Sequence, residues 1–237
     1  MDRRHTFTGF VEIIKALRAE GGCPWDREQT HDSLRPCMTE EAAELLAAIR
    51  IYNQTGNAEN MREELGDILL QAVMHSVIAQ EEGLFTIDDV IEEVSRKMIR
   101  RHPHVFGEME AENSQQALGN WEEIKRQEKI GKSWIQSPLR EIPEELPSLA
   151  RACKVIKKAD KLYGLPEKED SFWERAEKGL SEMRKVEGSN QKKVQEEKLA
   201  EMLWLLAEFA YRKGLAPEQL LSDLTAEKVE LFESGEE

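Results

Sequence analysis

Two short acidic runs carry the clearest chemical signal in this chain. Glu40-Glu41-Ala42-Ala43-Glu44 sets Glu41 and Glu44 three residues apart, and Glu64-Leu65-Gly66-Asp67 repeats that spacing with Glu64 and Asp67. On a helix, residues three apart lie on the same side, about one turn from each other. If two such helices pack antiparallel, four carboxylates converge, and their repulsion disfavours the cluster unless cations neutralise it. Hard divalent ions with oxygen ligands, chiefly Mg2+ with Mn2+ as a substitute, are the expected partners. In a chain that is 34% charged, an acidic pair on a helix is ordinarily a solvated face. Here both pairs closely flank apolar stripes, and further charged groups follow at helical spacing.

Those further groups are cationic and aromatic. Lys97 and Arg101 are four apart, with Arg100 beside them, near a helix end where the backbone dipole itself favours positive charge. Trp121 and Lys125 are again four apart, an indole able to stack on a base and an ammonium able to reach phosphate. Taken alone, a Trp and Lys pair is usually one core and one surface residue.

The elements that must position these residues read as helices throughout. Phe10, Ile13, Ile14 and Leu17 fall at helical spacing, and Gly21-Gly22 stops that helix before a turn-like Cys23-Pro24-Trp25-Asp26. Thr39 is expected to cap a helix running to about Tyr52, with Leu45, Leu46 and Ile49 on one stripe. The longest helix spans about 58–82, carries Leu65, Ile68, Leu69, Ala72 and Val73 inward, and is closed by Gly83. Gly66 inside it costs up to about 1 kcal/mol relative to alanine, which a close approach of another helix or a ligand would explain. Thr86 with Asp89 forms a capping-box variant for a helix ending near Arg101, since His102-Pro103 resists continuation. A helix over about 114–130 follows, and a linker over 131–147. Four more helical patterns cover about 149–163, 172–186, 194–213 and 217–232. No period-two strand pattern appears, so an all-α, antiparallel helical bundle is expected.

Composition narrows the function. The net charge of −14 argues against broad, charge-driven binding to nucleic acid or an anionic membrane. A phosphate-bearing substrate must therefore meet local cations or bound metal. The longest apolar stretches, 68–73 and 202–206, are far shorter than the roughly 20 residues that span a bilayer. No signal-peptide pattern precedes Thr6, and Cys23, Cys37 and Cys153 are dispersed, odd in number and in no CxxC spacing. A reducing cytoplasm is the expected compartment.

In order and spacing, Cys23-Pro24-Trp25-Asp26, Glu40-Glu41-x-x-Glu44, Glu64-Leu65-Gly66-Asp67 and Arg100-Arg101-His102-Pro103-His104-Val105-Phe106 resemble the MazG family over about residues 7–130. That resemblance implies an all-α nucleoside triphosphate pyrophosphatase that cleaves between the α and β phosphates. By it, Glu41, Glu44, Glu64 and Asp67 match the magnesium ligands, and Glu40 matches an accompanying acidic position. Lys97 and Arg101 match phosphate-contacting residues, Trp121 and Lys125 match positions near the substrate, and a homodimer is expected. Catalysis would be metal-assisted attack of water on the α-phosphorus, with Glu40 or Glu44 as candidate proton acceptor.

The second half, 148–237, also looks like MazG and reads as a degenerate copy of a first domain over 1–130. Aligned with Glu41, Glu44, Glu64 and Asp67 stand Gly179, Glu182, Lys198 and Glu201, so only two of four carboxylates remain. Lys228 aligns with Lys97, and Phe232 stands where Arg101 would be. A charged lysine cannot ligate a hard cation, so this half is expected to be catalytically silent. Two rival readings exist: a ferritin-like di-iron bundle, for which only Glu28-x-x-His31 fits a Glu-x-x-His motif, and a non-catalytic helical module that senses nucleotide or binds a protein. Trp25 either faces the nucleotide or packs beneath the first helix. His102 and His104 are expected to make local hydrogen bonds or caps rather than bind metal.

Overall fold

The computed structural model describes residues 5–128, 137–164, 171–187 and 191–235; among these the chain forms eleven α-helices and no strand. It divides into two compact units, Met1–Glu128 and Lys129–Glu237.

The first unit contains α1 (Phe7–Arg18), α2 (Pro24–Glu28), α3 (Arg35–Thr55), α4 (Glu59–Glu81), α5 (Ile87–Arg101), α6 (Pro103–Phe106) and α7 (Ser114–Gln127). Segment 23–26 is thus mostly a short helix, because Pro24 is pre-set for a first helical turn. Helix α3 starts four residues before the expected cap. Pro36 sits in its first turn, where a missing N–H costs nothing, and Thr39 lies inside the helix with its hydroxyl donating to the Arg35 carbonyl at 3.2 Å. The expected capping box is present: the Thr86 Oγ1 accepts from the Asp89 amide and the Asp89 carboxylate accepts from the Thr86 amide.

Gly56 takes φ +74° at the end of α3, a left-handed turn that L side chains rarely adopt, and the chain reverses through Gly56, Asn57 and Ala58 into α4. So short a connection makes α3 and α4 an antiparallel hairpin. The core lies where α1 meets the later turns of α4: Val11, Ile14, Leu34, Val73, Met74, Val77 and Ile78 are buried, with Phe10, Leu17, Cys37, Leu70 and Ile87 packed around them. Ile13 points outward instead. The stripes assigned to α3 and α4 also divide: Val73 is buried, while Leu46, Ile49, Leu65 and Leu69 are exposed and Ala72 faces out with them. Helix α4 carries two distinct apolar faces, and the one formed by Val73, Met74, Val77 and Ile78 packs in the core with α1. No close approach accounts for Gly66, since a Cβ there would meet nothing within 4 Å.

Arg18 ties three elements together. Its guanidinium donates to the Glu81 carboxylate on α4 and to the carbonyls of Asp26 and Gln29 around α2, with its side chain 5% exposed. Near it, the His31 and His75 rings are parallel within 4°, and their centroids at 5.1 Å join them edge to edge through Nδ1 atoms 2.8 Å apart. One Nδ1 must donate and the other accept.

The second unit holds α8 (Ser148–Tyr163), α9 (Phe172–Val186), α10 (Lys192–Lys213) and α11 (Pro217–Ser234). Of the expected linker, 131–136 lie outside the described residues, as do Lys129 and Ile130 at the end of the preceding helical pattern. The part over 137–147 forms turns in which Ile142 is buried and Glu141 pairs with Lys158 of α8 at 3.0 Å. Glu208, 4% exposed, is held by Arg175 of α9 at 3.0 Å and by Arg212.

Candidate active site

Helices α3 and α4 bring carboxylates from both acidic runs together. Ligand-capable oxygens of Glu41, Glu64 and Asp67 all lie within 4.8 Å of one another, an arrangement that could hold a metal ion. Packing is close behind them, for Ala48, two turns beyond Glu41 on α3, has no exposed surface. Glu44 is outside that triplet but raises the pKa of both Glu41 and Glu64 electrostatically. Glu41 is pushed above the ordinary carboxylate value by burial first, then by Asp67 and Glu44, with Glu64 contributing less. Glu64 is pushed up by burial, then by Glu44, Asp67 and Glu63. A set of oxygen donors that resists its own ionisation fits a hard cation, which removes the penalty both shifts report. Glu40 is exposed, one position off the stripe shared by Glu41 and Glu44.

Two amides support these acids, and the sequence reading missed both. Asn60 donates to Glu64 at 3.3 Å, and Gln71 hydrogen-bonds Glu41, each opposing the upward shift of its partner. Gln71 is 6% exposed, and its Oε1 is buried without a protein partner. A signal was there to find: Asn60, Glu64, Asp67 and Gln71 fall at helical spacing along one face of α4, and Gln71 interrupts an apolar run.

The basic and aromatic residues meet on α5 and α7. Arg101 lies 5.1 Å and Lys125 4.7 Å from the centre of the Trp121 ring, so both cations already rest on the indole. Glu128, another residue absent from the sequence reading, accepts from Arg101 at 2.5 and 3.0 Å and from Arg100 Nε at 2.7 Å, with Arg100 Nη2 in ion-pair contact at 2.6 Å. The Arg101 hydrogen bond is the main reason its pKa falls to about 2, against the opposing effect of burial. Lys97, half-buried on α5, has no ion pair with this group among the described residues.

Other sequence candidates separate from these groups. Trp25 is 60% exposed. His31 joins His75 and lies 3.8 Å from Glu82, and among the described residues no metal-competent group includes Glu28 or His31, which leaves the di-iron reading without its motif. His102 makes a local contact with the Met98 carbonyl at 2.7 Å.

In the second unit a protein cation stands among the carboxylates. Lys198 lies 2.8 Å from Glu182 and 2.9 Å from Glu201, which raises its own pKa and lowers that of Glu182. At Gly179 a Cβ would come within 2.4 Å of the Met202 sulfur, so the thioether fills the space of the missing carboxylate.

Comparison with known proteins adds to this geometry. Residues 29–106 match the family model of the MazG nucleotide pyrophosphohydrolase domain. The chain is similar to a Thermotoga maritima protein named nucleoside triphosphate pyrophosphohydrolase/pyrophosphatase MazG, 38% identical over 231 residues, covering 98% of this chain and 86% of that one. It is 47% identical over 153 residues to Bacillus subtilis uncharacterized protein YabN, covering 65% of this chain but only 30% of that protein. An Escherichia coli K12 nucleoside triphosphate pyrophosphohydrolase is 44% identical over 149 residues, 62% of this chain and 55% of its own length.

Proposed function

Given that the chain belongs to the MazG nucleotide pyrophosphohydrolase family, we propose that it hydrolyses nucleoside triphosphates, ribo- and deoxyribo-, to monophosphate and pyrophosphate. The observation that carries this reading is the convergence of Glu41, Glu64 and Asp67 within 4.8 Å across two packed helices.

In this reading Glu41, Glu44, Glu64 and Asp67 hold Mg2+, with Mn2+ able to replace it. The bound ion supplies charge neutralisation at phosphoryl oxygens and lowers the pKa of water. Glu40 or Glu44 takes the proton of the water that attacks the α-phosphorus. Lys97 and Arg101 bind the β and γ phosphates, where negative charge collects on the departing pyrophosphate. Trp121 and Lys125 lie beside the nucleotide. The second unit is silent in catalysis and serves packing or assembly; Lys198 between Glu182 and Glu201 supports that role.

The active form is a homodimer, an inference supported by the exposed Leu46, Ile49, Leu65 and Leu69 on the α3–α4 hairpin. No described helix is long and apolar enough to cross a membrane. Three free cysteines agree with the reducing cytoplasm proposed as its location.

The test is an assay of purified protein with all eight common nucleoside triphosphates, with and without magnesium. Metal-dependent release of pyrophosphate is expected. Orthophosphate release would mean that a different bond is cut, and tight binding without turnover would favour a nucleotide sensor.

A further inference from the structure

We propose that Glu128 is a positioning residue for the triphosphate: it fixes the guanidinium of Arg101, and with it the Trp121 and Lys125 face of α7, in the orientation that receives substrate phosphates. This inference rests on the pyrophosphohydrolase reading and adds a residue beyond the 29–106 stretch that matches the family model.

Trp121, Lys125 and Glu128 recur at intervals of four and three, so α7 presents them as one face that ends at its C-cap. Opposite stand Arg100 and Arg101 in the last turn of α5. The single Glu128 carboxylate accepts from both: one oxygen takes Arg100 Nε at 2.7 Å, with Arg100 Nη2 in ion-pair contact at 2.6 Å, and the other takes Arg101 Nε at 3.0 Å and Nη2 at 2.5 Å. The inner pair is well shielded, with side chains 12% exposed at Arg101 and 11% at Glu128, whereas Arg100 is 55% exposed. Arg100 acts as an outer stay, and Arg101 is the arm held in place.

Guanidinium geometry decides between a positioning role and a carboxylate that merely stands in for phosphate. Arginine presents five N–H groups in one rigid plane. Glu128 engages the edge formed by Nε and Nη2, and the Trp121 ring lies 5.1 Å from the guanidinium carbon. The N–H groups on the opposite edge, on Nη1 and the far side of Nη2, point away from this carboxylate. A phosphate can be bound bidentately there while Glu128 stays in place. Without Glu128, the arginines and Lys125 repel one another, and the α7 face loses its main polar tie to α5.

The experiment compares full-length wild type with Glu128→Gln, Glu128→Asp and Arg100→Gln. Steady-state kinetics, calorimetric nucleotide binding without turnover in Ca2+, and Mn2+ binding without nucleotide are measured for each. Glu128→Gln is expected to raise KM and weaken nucleotide binding by about tenfold, with kcat changed far less and Mn2+ affinity unaltered. Glu128→Asp, which keeps the charge, recovers part of the loss. An unchanged KM, a lowered KM as a displaced stand-in would give, or parallel loss of Mn2+ binding overturns the proposal. If Glu128→Gln fails to fold, Arg100→Gln decides, because it leaves the inner pair intact: a smaller rise in KM supports the role, and none overturns it. Absence of turnover in wild type would count against the pyrophosphohydrolase reading alone, with nucleotide binding still reporting on Glu128.

Discussion

Crowding carboxylates at Glu41 and Glu64 gives the site a pH signature. Both folded-state pKa values lie above the ordinary 4.5, each raised first by burial and then by neighbouring acids. Metal-free folded protein therefore binds protons more readily than unfolded chain, and the stability these groups contribute is lost as pH rises from 4.5 through the folded values. A divalent ion reverses the preference, because it needs the acids ionised. The expected result is a Mg2+-dependent rise in Tm at pH 8 that shrinks at pH 5, read by differential scanning fluorimetry. Glu41→Gln with Glu64→Gln should abolish both that rise and turnover; residual metal-dependent turnover would sink the one-site proposal. His75 carries the opposite sign from its usual surface behaviour. Burial, then His31, lowers its pKa below 6.5, so its contribution to stability is full above that pH and is lost as pH falls through the folded value. Urea midpoints at pH 7.5 and 5.5 should differ more in wild type than in His75→Gln.

At the scale of elements, Arg18 is the tie on which the first unit depends. Arg18→Ala removes charge-assisted bonds to Glu81 and to two carbonyls around α2 and is expected to cost about 2–3 kcal/mol of unfolding free energy. Urea unfolding measures it, and a loss below 0.5 kcal/mol, the ordinary scatter of surface changes, would contradict the tie. Nothing in local spacing announces Arg18, since its main partner is 63 residues away in sequence. Helix ends were far more legible: Gly56, Gly83 and the Thr86–Asp89 box punctuate the chain through local backbone chemistry. Which face turns inward was harder to read. Leu65 and Leu69 fit a helical stripe as well as Met74 and Val77 do, and only tertiary packing chooses between them. The metal-competent acids could be read from three-residue spacing, and Gln71 continues that face within an apolar run, whereas Glu128 takes its meaning from arginines on another helix.

Considered whole, the molecule contains one unit in which Glu41, Glu64 and Asp67 cluster and a second in which Lys198 already pairs with Glu182 and Glu201. Deleting 148–237 is expected to disrupt assembly and activity, measured by sedimentation and by pyrophosphate release; survival of both would refute the scaffold role. The ammonium of Lys198 offsets one of the two negative charges of Glu182 and Glu201 without a metal ion. Calorimetric scans with a chelator should accordingly shift the melting of one part of the chain while leaving the other where it was. Ion scarcity would then silence this protein without dismantling it, and restoring the ion would find half the architecture still standing.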